Sequence, residues 1–84
     1  MKRAGIRERK IKMYRVDFEN GFGKLRTIGK ASTREDAFKI INKFLSDHNY
    51  KAYYFRTWFT DDNKKKEIVD VGSHSEFFHI VKED

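Results

Sequence analysis

Six of the chain's thirteen aromatic residues fall between Tyr50 and Phe59, in the run Tyr-Lys-Ala-Tyr-Tyr-Phe-Arg-Thr-Trp-Phe. No other stretch can bury as much surface, so it is expected to be the strand around which the rest assembles. Side chains alternate between the two faces of a strand. Tyr53, Phe55, Thr57 and Phe59 then share one face, and Tyr54, Arg56 and Trp58 the other. Phe55 and Phe59 favour the first set as core, while Trp58 favours the second, so the sequence leaves the buried parity open.

Eighty-four residues make one domain. A chain of that length buries only about 60–65% of its unfolded surface, so its core depends on large side chains. The chain has no cysteine, which excludes a disulfide framework and a thiolate metal site, and no proline, which leaves glycine to mark the turns. No apolar run is long enough to span a membrane.

Tyr14, Val16 and Phe18 alternate with Met13, Arg15 and Asp17, the pattern of a half-buried strand over 11–18. Asn20-Gly21 predicts a tight hairpin turn, with Gly23 pointing to a longer or bulged loop. The returning strand, 22–29, has an ambiguous register, because Leu25 and Ile28 share a face only if a bulge intervenes. Ser32 as N-cap and Glu35 three residues later read as a capping box. Ala37, Phe38, Ile41, Phe44, Leu45 and His48 then recur at helical spacing, and Asn49 suits a left-handed helix end. After the aromatic strand (51–59) and a polar loop come short strands at 67–71 and 76–81, with Lys82-Glu83-Asp84 expected to fray. The order β-β-α-β-β-β predicts an α+β two-layer sandwich, one amphipathic helix on an antiparallel sheet whose other face is open.

The net charge of +6 is unevenly placed. Residues 1–12 carry Lys2, Arg3, Arg7, Arg9, Lys10 and Lys12 against Glu8, a net +5, which leaves the remaining residues at +1. Residues 1–10, with Ile6 as their one large apolar side chain, read as a flexible basic arm on a single domain of residues 11–84. Such an arm attracts phosphate through counterion release, and Lys64, Lys65 and Lys66 could add to that contact, although Asp61 and Asp62 nearly cancel their charge. On the open sheet face, Tyr54, Arg56 and Trp58, joined by Arg15 from a neighbouring strand, could stack bases or meet a protein. His48, His74 and His79 have no ligand-set spacing, and Asp70, Ser73 and His74 do not match a hydrolase motif. No catalytic centre, metal or cofactor is expected.

The stretches Arg26-Thr27-Ile28-Gly29, Thr33-Arg34-Glu35-Asp36-Ala37, His48-Asn49-Tyr50-Lys51-Ala52-Tyr53-Tyr54 and Asp70-Val71-Gly72-Ser73-His74-Ser75-Glu76-Phe77-Phe78 resemble small proteins of Gram-positive phages and prophages, over about residues 13–82. The resemblance carries no chemistry. It implies a non-catalytic accessory protein in the cytoplasm of a bacterial host, a monomer or small homo-oligomer, which binds a host protein or ribonucleoprotein. An inhibitor of host defence, such as an anti-CRISPR protein, is one form of this, although the basic charge argues against nucleic-acid mimicry. The alternative is a small DNA- or RNA-binding module using the arm and the aromatic sheet face.

Overall fold

The helix, α1 (Arg34–Asp47), forms on its apolar stripe, with Ala37, Ile41, Phe44 and Leu45 buried. Its N-cap is Thr33 rather than Ser32: the Thr33 hydroxyl accepts from the Asp36 N–H at 3.0 Å. This shifts the cap by one residue and replaces the expected capping box with a single side-chain cap, followed by Glu35 and Asp36 in the first turn. At the other end Asn49 takes φ 57°. The Tyr50 N–H donates to the Leu45 carbonyl and the Asn49 N–H to that of Ser46, so the helix stops in a Schellman motif.

The computed structural model describes residues 13–73 and 75–83; the basic arm and His74 lie outside them. Five strands, β1 (Met13–Glu19), β2 (Leu25–Ala31), β3 (Arg56–Phe59), β4 (Lys66–Asp70) and β5 (Phe77–Glu83), form one antiparallel sheet in the order β2-β1-β5-β4-β3. The α+β sandwich is therefore present, with α1 against β2, β1 and β5.

The β1–β2 register settles the phase of the second strand. Val16 faces Gly29 and Asp17 faces Thr27, which leaves Ile28 as the extra residue of a bulge. Ile28 packs against the core and Leu25 stays exposed on the other face, as alternation alone would place them, while the bulge brings Gly29 and Ala31 to the core side. The turn is longer than an Asn-Gly pair requires. The positive φ falls at Gly23, and the Asn20 side chain accepts from the Phe22 and Lys24 N–H groups. Lys82 and Glu83 do not fray, since Tyr14 pairs with Lys82 and Met13 with Glu83; Asp84 lies outside the described residues.

Val16, Phe18, Val69, Phe78 and Ile80 meet the helix residues in one core. Phe18 lies 4.7 Å from Phe44 and 5.3 Å from Phe78, centroid to centroid. The aromatic stretch at 50–59 is not the centre of this core. Only Arg56–Phe59 is strand, it forms a sheet edge, and all four of its residues are exposed. One helix, about 10–12 Å across, covers two or three strands spaced about 4.8 Å apart, so a five-stranded sheet outruns it.

Candidate functional site

Cross-strand pairing fixes which side chains share the uncovered face. Arg56, Asp70, Phe77 and Glu19 form one row across β3, β4, β5 and β1; Trp58, Ile68, His79 and Asp17 form the next. Arg56 and Trp58 are thus on the open face, which resolves the parity that the sequence leaves open. Tyr54 lies before the strand, so alternation does not place it. Gly72 does: at φ 90° and without a Cβ, it lets the Tyr54 ring approach within 3.1 Å of where a Cβ would stand. The Tyr53 N–H donates to the Val71 carbonyl and holds the segment there.

The outcome is an arginine between two rings. The Arg56 guanidinium carbon lies 5.7 Å from the Tyr54 centroid and 5.6 Å from that of Trp58. Arg56 also donates to the Asp70 carboxylate at 2.7 Å. Asp70 is buried, and its other oxygen accepts from the Gly72 N–H. Each cation–π contact contributes about 0.5–1 kcal/mol at an exposed site, and together they limit the rotamers of a long side chain. Arg56 remains 66% exposed and Trp58 41%, so the stack is available to solvent. Beside it, Glu19, Trp58, Thr60, Ile68 and Phe77 line a shallow depression of about 270 Å³.

Arg15 does not join this row. It is on the same face, but β5 and β4 separate β1 from β3. Its guanidinium is engaged by Asp17 and Glu83, and buried Asp17 also accepts from the Thr27 hydroxyl.

The predicted lysines sit at the other end of the sheet. Lys66 begins β4 on the open face, in a row with Val81, Arg15 and Lys30. Lys64 and Lys65, with Arg34, Lys82, Tyr14, Phe59, Glu67 and Ile80, surround a depression of about 210 Å³ on the helix side. The chain enters β1 at this same end, since Met13 pairs with Glu83. The arm itself, with Lys2, Arg3, Arg7, Arg9, Lys10 and Lys12, lies outside the described residues.

Arg34 and Lys82 were not singled out by sequence. For Arg34 a signal existed: a cation in the first helical turn opposes the macrodipole and so points to a compensating partner. That partner is buried Glu67, which accepts two Arg34 hydrogen bonds at 2.8 and 2.6 Å. The bond to Glu67 raises the Arg34 pKa, against partial burial, so the side chain stays charged. His79 contacts Glu19 at 2.7 Å, and among the described residues no three His, Cys, Asp or Glu side chains converge as a metal site. No helix among them is long and apolar enough to cross a membrane. Protein-family models, curated proteins and solved structures provide no match to the chain.

Proposed function

We propose that the protein acts by stoichiometric binding, without catalysis, and presents the Tyr54–Arg56–Trp58 stack to a host protein or nucleoprotein. The observation that carries this reading is the arginine held between two rings on a sheet face that no helix among the described residues covers. Aromatic and arginine side chains already fixed in place are the usual anchors of protein interfaces, because little entropy is lost when they dock. An inhibitor of a bacterial defence complex is the concrete form that the phage resemblance suggests. In that form the arm and the basic end of the sheet would touch phosphates of the target's nucleic acid.

A second reading, a nucleic-acid-binding module of a phage's own replication or expression, draws on Lys64, Lys65 and Lys82 around one depression at the end where the arm attaches. The two separate by experiment. The full chain is tested against bare DNA and RNA at physiological salt, and against a nuclease-treated host lysate. The first reading expects a defined protein captured in fixed stoichiometry and lost with Arg56→Ala or Trp58→Ala. Sub-micromolar binding to bare nucleic acid, with capture indifferent to those substitutions, would overturn it in favour of the second.

A further inference from the structure

The two edges of the sheet are treated differently. An edge strand offers unpaired N–H and C=O groups, and folded chains blunt such edges with bulges, charges, proline or a covering helix. Strand β2 has three of these devices: the bulge at Ile28, the charges Arg26 and Lys30, and α1 packed beside it. Strand β3 is short and carries the charge of Arg56, but among the described residues neither bulge, proline nor helix blunts it, and Phe55, Trp58 and Phe59 are 41–48% exposed.

We propose that β3 pairs antiparallel with β3 of a second copy, about a two-fold axis through Thr57, to join two sheets into one of ten strands. Backbone geometry permits it. The Thr60 N–H donates to the Lys66 carbonyl at 2.9 Å, so Thr60 and Lys66 are a hydrogen-bonded pair. Such pairs alternate along an antiparallel ladder. Trp58 and Arg56, opposite Ile68 and Asp70, therefore direct their backbone groups to β4, whereas Thr57 and Phe59 direct theirs outward.

Side-chain chemistry selects the register. A two-fold axis normal to the sheet keeps each side chain on its own face only if it passes through a residue. Centred on Arg56, the pairing sets two guanidinium groups opposite each other, which repels. Centred on Trp58, it sets Arg56 against Thr60. Centred on Thr57, it puts Arg56 opposite Trp58 of the second copy, twice. The second copy thus extends the aromatic–arginine stack, and each contact is matched by its symmetry mate, as an isologous interface requires. The contact is short, so a reversible dimer with micromolar dissociation is expected.

Dimerisation is measured on the isolated full chain and is independent of the partner reading above. Sedimentation equilibrium should give a concentration-dependent monomer–dimer equilibrium for the native sequence. Thr57→Pro should be monomeric with unchanged ellipticity, because it removes only an outward N–H. The chain has no cysteine of its own. Thr57→Cys should then cross-link to a dimer on mild oxidation, and Trp58→Cys, two positions off register with its mate, should not. A protein that stays monomeric at every concentration, with no Thr57→Cys cross-link, overturns the proposal. Equal cross-linking by both cysteines overturns the register.

Discussion

Replacing Arg34 by Met tests whether the helix start is held by its buried partner. The substitution keeps much of the apolar stem but removes both hydrogen bonds to Glu67, whose side chain is 3% exposed, along with the cation over the Phe38 ring at 4.8 Å. Breaking a fully buried pair costs about 3–5 kcal/mol, because the remaining charge has neither partner nor water. Here Arg34 is 49% exposed. Water can enter from its side, which reduces the expected cost to about 2–3 kcal/mol. At this chain length that lowers Tm by about 10–20 °C. Glu67→Leu should cost less, about 1 kcal/mol, since the abandoned guanidinium can turn to solvent whereas the abandoned carboxylate cannot. The double variant Arg34→Met/Glu67→Leu should return to within about 1 kcal/mol of the native protein. Urea titration followed by far-UV ellipticity measures all three variants, and high salt should leave the differences in place because the pair is partly shielded from ions. If Arg34→Met stays within about 0.5 kcal/mol of the native protein at unchanged m, Glu67 is solvated and the reasoning fails.

Thr33→Ala should cost about 1 kcal/mol and Ser32→Ala nearly nothing, because only the Thr33 hydroxyl caps the helix; thermal melts of the two variants decide it. Gly72→Ala places a Cβ about 3.1 Å from the Tyr54 ring at a residue of φ 90°. It should destabilise by about 1–3 kcal/mol and, by displacing Tyr54, weaken partner capture beyond its effect on folding. Burial, reinforced by a hydrogen bond to Glu76, raises the Tyr50 pKa above its ordinary 10.0. The unfolded chain then loses this proton first, so stability should fall as pH rises from the unfolded pKa through the folded one. Tyr50→Phe should flatten that decline in alkaline urea titrations.

The helix was legible because its signals are local: a run of apolar residues at helical spacing and an asparagine at its end. The choice between Ser32 and Thr33 was not, since both can cap and backbone geometry decides. The bulge at Ile28 was not announced by the conflict between Leu25 and Ile28, which lie on opposite faces as plain alternation would put them; it shifts the phase of Gly29–Ala31 instead. Tyr54 was placed correctly for the wrong reason. Alternation does not extend to it, and its position comes from Gly72, eighteen residues further along the chain. Arg15 was placed on the right face but not in a neighbouring strand, because strand order is non-local: nothing in residues 13–19 tells that β5 and β4 will intervene.

The aromatic run at 50–59 shows how a strong local signal can point away from the core. Density of rings measures how much surface a segment could bury, whereas sheet position determines how much it does bury. With a single helix among the described residues, lying over β2, β1 and β5, those residues leave the last strand of the order bare on both faces, whatever its composition. Only 38% of the chain is hydrophobic, yet Tyr53, Tyr54, Phe55, Trp58 and Phe59 all stand in solvent along one edge. For an isolated monomer this is an unfavourable distribution, since about 25 cal/mol is lost for each Å² of apolar surface left wet. An edge strand rich in rings, with an arginine fixed between two of them and neither bulge nor proline in it, is instead what a surface that spends its time covered requires.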